Sequence, residues 1–409
     1  MSNIIKKKIL YHFILIFTLG LLFNSIVNKI ENLNPIIKSI ADIRFSDLYF
    51  SINDKNDTSE IFIVDVGQKD PLQTRKEIAN FIKKVNDSHR PKVIGVDVYF
   101  DAKYKDAAIN NLLTEQLSSD NVIRVFQVQK TEKGDYYPDH SYLPGLETNY
   151  SSQEGYSFGL GKPTEYPCVR YFKPTFQIKK QKSNHSINHI SKLIAEKYLA
   201  YDNKKLSSEI NLEKKMMINY NINFEKNRID INDSTRYHEL ENKIILIGIN
   251  TYNSKGYPLY TDDTHFTPLN KNYLGRSIPD SYGVEILATI VSNLIHNEYL
   301  SFNPILVKVL NWIISILTYI ILLYLFISLN ESFIFFKVLS QTIGLLFLVI
   351  ISLSVINFTN HYIDLSMAII VMFIAAEIVE INEELLIKIK PDLLKSKFLN
   401  FFKSKLSNE

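Results

Sequence analysis

Three long apolar segments lie close together near the C-terminus, at about Ile305–Leu329, Val338–Phe358 and Tyr362–Ile378. A helix needs about 20 mostly apolar residues to cross a bilayer, and these segments fit that length. A fourth apolar run, Ile9–Val27, follows a lysine cluster at the N-terminus. Because no small-x-small cleavage site follows this run, we predict an uncleaved signal-anchor helix over residues 1–30. The sequence therefore predicts four transmembrane helices, one before and three after a long polar region.

The placement of lysines sets the orientation of these helices. Lys6, Lys7 and Lys8 precede the first helix and six more lysines follow the last, whereas the short loop Asn357–His361 contains no lysine or arginine. An even number of spans also puts both termini on one side. We therefore predict cytoplasmic termini and an extracytoplasmic region over residues 31–300. The abundance of Ile, Lys and Asn favours a bacterial source, and hence the bacterial cytoplasmic (inner) membrane.

Apolar runs alternate with helical patterns in the first half of this polar region. The runs EIFIVDV, KVIGVDVYF and NVIRVFQVQ are short and rich in β-branched residues, which is typical of buried strands. Helical patterns lie between them, the first with Thr74 as its N-cap. Such alternation predicts an α/β fold with a largely parallel sheet flanked by helices.

The second half of the region is less regular. Residues 130–174 are rich in Gly, Tyr and Pro and contain one short strand candidate, CVRYF. A helix is predicted over INHISKLIAEKYLA and a strand over MMINYNINF. The strand KIILIGIN and the helix Tyr282–Leu300 then lead towards the first C-terminal apolar segment. The one cysteine, Cys168, cannot form an intramolecular disulfide, so a hydrophobic core must hold this domain together.

Candidate ligand-binding residues cluster where predicted strands end. In open α/β sheets, ligands bind outside the carboxyl ends of the strands. Six residues are expected to line such a site: Asp65, Arg75, Asp97, Asp263, Thr267 and Glu285. Gly248 and Asn250 end the last strand, and Asp101, Asp262, Thr264 and His265 are close in sequence to the other candidates. If these residues converge, they form an acidic, hydroxyl-rich pocket suited to a cation, an amine or a sugar.

A structural role is the alternative for most of these side chains. Aspartates after strands commonly cap turns or the next helix. Glu285 lies in the first turn of its predicted helix, where a carboxylate suits the helix dipole without any ligand. Arg75 is expected to pair with a carboxylate inside the domain.

The sequence offers little for metal binding or catalysis. His265 with Asp262 and Asp263 forms an unspecific metal pattern, and His185 with His189 is spaced to share one helix face and hold zinc. No third ligand of suitable spacing accompanies that pair, so solvated histidines are expected instead. No nucleophile-elbow or P-loop motif occurs. We therefore predict no catalytic residues, no metal, no cofactor and no enzymatic activity.

Several motifs, taken in order, resemble the type-two CHASE domains, which are extracellular sensory modules associated with cyclases and histidine kinases. The matching features are EIFIVDV, the Arg75 helix start, KVIGVDVYFD, the segment Gly155–Arg170, INYN before KIILIG, and TPL followed by YGVEILA. The plan of one span before the domain and three after it matches as well. The tryptophan- and proline-rich turn that many members carry before the arginine is replaced here by PLQTR.

The resemblance implies a sensory, non-enzymatic role. We expect a CHASE-like domain over residues 31–300, three transmembrane helices over 304–380 and a basic amphipathic cytoplasmic tail over 381–409, which is suited to a lipid surface or a docking partner. Roughly 30 residues after the last span are too few for a catalytic domain, so a separate cytoplasmic effector is expected. An extracytoplasmic ligand or protein, membrane lipid and a second copy of the chain are the other expected partners, and nucleic acid is not. The alternatives are a metal-dependent extracytoplasmic hydrolase and a small transporter component.

Overall fold

The computed structural model describes residues 45–52, 55–100, 106–126, 128–130, 136–138, 154–156, 168–180, 183–208, 215–260, 263–270, 279–329 and 333–387. These residues fall into two compact units. One is Asp47–Ser301, and the other includes the described residues from Phe302 onward. The predicted first span at Ile9–Val27 and most of the predicted tail lie outside the described residues.

The helices of the described part are α1 (Phe45–Ile52), α2 (Pro71–Ser88), α3 (Ala107–Leu117), α4 (Ile190–Tyr201), α5 (Gly283–His296), α6 (Pro304–Leu329), α7 (Phe333–Thr359) and α8 (Ser366–Ile387). The strands are β1 (Asn56–Asp57), β2 (Ile61–Asp65), β3 (Val93–Val96), β4 (Val122–Phe126), β5 (Val128–Lys130), β6 (Tyr136–Pro138), β7 (Glu154–Tyr156), β8 (Tyr171–Phe172), β9 (Thr175–Lys180), β10 (Ser183–Asn188), β11 (Met216–Met217), β12 (Ile222–Asn223), β13 (Arg228–Asp230), β14 (Ile244–Gly248), β15 (Thr264–His265), β16 (Ser281–Tyr282), β17 (Ser301–Phe302) and β18 (His361–Tyr362). Two short 3-10 segments are Glu225–Asn227 and Ser234–Leu240.

A parallel sheet forms the centre of the first unit. Its strand order is β13-β2-β14-β3-β4-β7, and every neighbouring pair runs parallel. The strand β14 lies between β2 and β3, with Ile244 opposite Ile61 on one side and Val93 on the other. The prediction of an α/β fold with a largely parallel sheet is therefore confirmed.

Helices cover both faces of this sheet because successive side chains of each strand point to opposite faces. Phe62 and Val64 of β2 pack with Ile78 of α2 and Leu113 of α3 in one core. On the opposite face, other residues of β2 and β14 pack with α4 and α5 in a second core. The central strands are buried on both faces, which explains why their sequences are continuously apolar.

Several predicted boundaries are wrong in detail. The helix α2 begins at Pro71 rather than after Thr74, because the Asp70 carboxylate caps it by accepting from the backbone N–H groups of Leu72 and Gln73. The predicted strand MMINYNINF consists of two separate short strands, β11 and β12, which pair with different partners. In CVRYF only the last two residues form a strand.

Among the described residues of the second unit, two helices are long and apolar enough to cross a membrane, over Pro304–Leu322 and Phe335–Thr359. The helix at the third predicted span begins at Ser366 rather than at Tyr362, and it continues to Ile387. The side chain of Asn311 ties α6 to the start of α8, donating to the carbonyl of Asp364 at 2.6 Å and accepting from the backbone N–H of Ala368 at 2.8 Å. The total of four transmembrane helices stays a prediction.

Candidate functional site

The carboxyl end of β14 is a topological switch point. The connections after β2 and β3 pass into α2 and α3 on one face of the sheet, whereas the chain after β14 leads to α5 on the other face. Connections that depart to opposite faces leave a crevice outside the strand ends, where α/β proteins bind ligands. The structure thus places the ends of β2, β14 and β3 side by side at the switch point, and we refer to the space outside these ends as the crevice.

Asp65, at the end of β2, joins the two loops that border this crevice. Its Oδ1 accepts from the backbone N–H groups of Gly67 and Asn250, both at 2.8 Å, and its Oδ2 accepts from the Thr251 hydroxyl at 2.6 Å. Gly67 has a φ of +61°, the left-handed conformation that glycine adopts easily. The carboxylate therefore holds the loops after β2 and β14 together, which is the structural role weighed as its alternative.

Arg75 lies inside the domain rather than at a surface. The side chain is 2 % exposed, its Nη1 donates to the Asn110 Oδ1 at 2.5 Å, and its guanidinium lies 5.9 Å from the centre of the Phe100 ring. Asp97 follows β3, and its backbone N–H donates to the carbonyl of Ile247 at 2.9 Å. Arg75 is thus engaged in interior contacts between α2 and α3.

The Glu285 carboxylate contacts three side chains near the start of α5. One carboxylate oxygen pairs with the Arg228 guanidinium, and the other accepts from the Tyr252 hydroxyl and from the Ser281 hydroxyl, the latter at 3.1 Å. The Arg228 guanidinium also lies 4.3 Å from the centre of the Tyr252 ring. Burial and the neighbouring Glu285 carboxylate raise the pKa of Tyr252 well above its usual range, so this hydroxyl keeps its proton. Glu285 thereby links the first turn of α5 to the edge strand β13 and to the loop after β14.

Thr267 and Asp263 lie in the loop that precedes α5. Asp280 accepts from the backbone N–H of Thr267 at 2.8 Å and from its hydroxyl. Burial raises the pKa of Asp280 to about 6, although these hydrogen bonds oppose the shift. The Asp263 carboxylate lies against Gly283, where a Cβ would be 2.6 Å from its Oδ2, so a larger residue at position 283 would require this carboxylate to move.

Asn250, which follows β14, has an unusual environment that the sequence pattern does not indicate. It is 4 % exposed, and its side-chain Oδ1 and Nδ2 have no hydrogen-bond partner among the described residues. Buried polar groups are paired in the great majority of cases, so two unpaired atoms on one amide require a physical reason. No local sequence signal distinguishes this asparagine, because its state depends on which neighbours surround it.

A second cluster ties together the places where the chain enters and leaves the first unit. Asn293 of α5 forms reciprocal hydrogen bonds with the backbone of Asn219, at 2.7 and 3.1 Å. The backbone N–H of Leu300 donates to the carbonyl of Met217 at 3.1 Å. The Phe50 ring of α1 packs edge-on against Tyr220, with their centres 5.9 Å apart. The segment Met216–Tyr220 therefore contacts both α1 and the end of α5.

The histidines considered for metal binding lie in different elements. His185 lies in β10 and His189 precedes α4 as its N-cap, so they do not share a helix face. His189 is fully buried, so the expectation of a solvated side chain is wrong for this residue. His265 lies 3.3 Å from Asp263, whereas Asp101 and Asp262 are outside the described residues. Within the ranges that the structure describes, no three His, Cys, Asp or Glu side chains group as a metal site requires.

The fold and the site together define an α/β domain that leads, through residues 297–303, from its last helix into apolar helices of membrane-spanning length. A comparison with protein-family models matches residues 13–328 to the CHASE2 domain, and the chain belongs to that family. CHASE2 domains are extracellular and sensory, which confirms the resemblance drawn from the sequence and supports a sensory role outside the cell. No curated protein matches the chain significantly. A search of solved structures likewise gives no significant match.

Proposed function

We propose that the chain is a membrane-anchored sensor subunit that reports binding at its extracytoplasmic domain to a separate cytoplasmic effector. The observation that carries this proposal is the position of Glu285. This residue lies in the first turn of α5 and contacts Arg228, Tyr252 and Ser281 at the carboxyl edge of the sheet. A change in the loops around the crevice would therefore act directly on the start of α5.

The far end of α5 supplies the second half of the argument. The helix ends at Asn297, which has the left-handed conformation of a helix C-cap, and α6 begins at Pro304. The reciprocal hydrogen bonds between Asn293 and Asn219 fix the last turn of α5 before the chain departs. A rigid helix held at both ends transmits a shift as a unit, whereas a flexible linker would not.

In energetic terms the relay needs only a ligand with different affinities for two positions of α5. A shift from a mostly inactive to a mostly active population, from 1:99 to 99:1, requires a difference in affinity of about 10⁴-fold. Smaller differences give partial responses, which are sufficient for graded sensing. The receiving effector is proposed to be a separate protein at the inner membrane face.

The relay is testable with an adenylate cyclase catalytic domain fused after Glu409 of the full chain, in cells that lack their own cyclase. Four chains are compared: the parent fusion, Glu285→Gln, a flexible Gly-Ser insertion between Asn303 and Pro304, and the two changes combined. We expect Glu285→Gln to change cyclic AMP output in the uninterrupted chain and to have no effect once the insertion is present. Immunoblots of the membrane fraction control for equal amounts of each chain.

The opposite pattern would contradict the relay. If Glu285→Gln changes the output equally with and without the insertion, the signal does not pass through the connection between α5 and α6. If Glu285→Gln leaves the output unchanged in both chains, Glu285 does not couple the crevice to the helix. Either result would remove the proposed mechanism while leaving the assignment to the CHASE2 family intact.

A further inference from the structure

The polar groups at the crevice are mostly engaged with one another. Asp65 accepts three hydrogen bonds, Glu285 pairs with Arg228, Tyr252 and Ser281, and Asp280 accepts from Thr267. Most of their acceptor positions are occupied within the protein, so they have limited capacity left for a ligand. The predicted binding residues Asp65, Thr267 and Glu285 thus mainly hold the surrounding loops and the start of α5 in place.

The Asn250 amide differs from these carboxylates within the described part of the chain. It comes directly after β14, at the switch point, and its backbone N–H is already fixed by Asp65 at 2.8 Å. Its side-chain Oδ1 and Nδ2 are buried and both lack partners there. Nearby, Gly248 lies directly against Val284 in the first turn of α5. A Cβ at position 248 would be 2.8 Å from the Val284 Cβ. The unpaired amide therefore follows, two residues later, a strand end that packs on the first turn of α5.

We propose that Asn250 is the ligand-recognition residue of this domain and that it binds a small neutral molecule with an adjacent N–H and C=O, that is, an amide. A primary carboxamide side chain offers one acceptor and two donors, so it pairs with another amide through two complementary hydrogen bonds. An anion is disfavoured, because the carboxylates of Asp65, Asp97 and Glu285 border the same strand ends. A neutral amide satisfies both orphaned atoms without introducing a charge.

This inference deepens the proposed sensory function and rests on it for its biological meaning. The inference itself concerns binding alone, which is measured without the cyclase reporter. A chain that binds amides through Asn250 but fails the reporter cycle would refute the relay only. A chain that passes the reporter cycle but binds no amide would refute the role of Asn250 only.

The first measurement is the thermal midpoint of the full chain in lipid nanodiscs, without any added ligand. Replacing Asn250 by leucine removes two unpaired buried atoms and keeps a similar volume, so we expect the midpoint of Asn250→Leu to stay level or rise. The matched control is Asn293→Leu, because Asn293 is 0 % exposed and both of its amide atoms are paired with Asn219. We expect that control to unfold at a clearly lower temperature.

The second measurement is saturation-transfer NMR of the same preparations with acetamide, pyrrolidinone and N,N-dimethylacetamide as probes. We expect saturation transfer to the first two probes and much less to dimethylacetamide, which lacks the N–H donor. Asn250→Leu and the smaller Asn250→Ala should each weaken binding by about tenfold or more, the effect of losing a well-made hydrogen bond. Asn223→Ala, at a residue whose side chain bonds to an exposed partner, should bind as the parent does.

Three results would overturn the proposal. The first is no saturation transfer from either N–H-bearing amide to the parent chain. The second is equal transfer in the parent and in both Asn250 variants. The third is a fall in the midpoint of Asn250→Leu comparable to that of Asn293→Leu, which would mean that an enclosed water molecule, rather than a ligand, already satisfies the amide.

Discussion

Replacing Glu285 by glutamine tests whether the ion pair at the start of α5 holds this helix to the sheet. Glu285 is buried and its carboxylate pairs with Arg228, whose side chain is 29 % exposed. Removing one partner of a fully buried pair costs about 3–5 kcal/mol, and an exposed pair contributes about 0–1 kcal/mol. Because Arg228 is partly solvated, the expected cost lies between these limits, at about 2 kcal/mol.

This loss is measurable as a change in thermal stability. For a domain of this size a loss of about 2 kcal/mol lowers the midpoint by about 4–8 °C. Circular dichroism of the full chain in nanodiscs would follow the transition. The matched control is Asp57→Asn, which removes the 2.5 Å pair between Asp57 and Lys226 at a site where both side chains are exposed. We expect no measurable shift for this control.

A double variant separates the ion pair from simple loss of packing. Replacing Arg228 by methionine in the Glu285→Gln background removes the cation that the first change leaves unpaired. The double variant should therefore be at least as stable as Glu285→Gln alone. If Glu285→Gln shifts the midpoint no more than Asp57→Asn does, Glu285 does not anchor α5 and the reasoning fails.

Three further predictions address the pH response, the packing and the membrane side of the domain. Since the pKa of Asp280 is raised from 3.8 to about 6, its contribution to stability is fully present below about pH 4 and is lost as the pH rises through about 6. Thermal midpoints between pH 4 and 7 should therefore fall less steeply for Asp280→Asn, and an unchanged slope would contradict the burial argument. Gly155→Ala should destabilise by about 2 kcal/mol, because its Cβ would lie 2.5 Å from backbone atoms of α4 that cannot move independently. Gly95→Ala should cost less, because it meets only side-chain ends; equal midpoints would refute this distinction. In a Cys168→Ala background, Lys226→Cys should react with a membrane-impermeant maleimide in intact spheroplasts, because the Lys226 side chain is 78 % exposed; labelling only after lysis would place the domain inside.

The central strands could be predicted from the sequence because each one is a short, continuously apolar run, the pattern of a strand buried on both faces. In β2 and β14 every apolar side chain packs on one of two cores, so the run of Ile and Val is itself the signal. The edge strands β7 and β13 carry no such signal, because Glu154–Tyr156 and Arg228–Asp230 are short and partly polar. They are strands because β4 and β2 offer them hydrogen-bonding partners, and that depends on the tertiary fold.

The positions of Asp65 and Glu285 in the fold could be predicted from the sequence, but their hydrogen-bond and ion-pair partners could not. Asp65 and Glu285 could be placed at the carboxyl edge because each lies next to a recognisable strand or helix. Their partners, such as Thr251 for Asp65 and Arg228 for Glu285, are distant in sequence, so no local pattern connects them. Whether the Asn250 side chain finds a hydrogen-bond partner depends on neighbours that are close in space but distant in sequence, so a local sequence pattern cannot predict it.

The central position of β14 also has a consequence for how the domain is made. Its neighbours β2 and β3 both precede it by more than a hundred residues of chain, so the sheet cannot close as the chain emerges in order. The gap between β2 and β3 is filled only when residues 244–248 arrive, shortly before the chain reaches α6. Pairings between such distant segments are slow to form. We expect completion of the sheet and membrane insertion of the following helix to be nearly simultaneous events during biosynthesis.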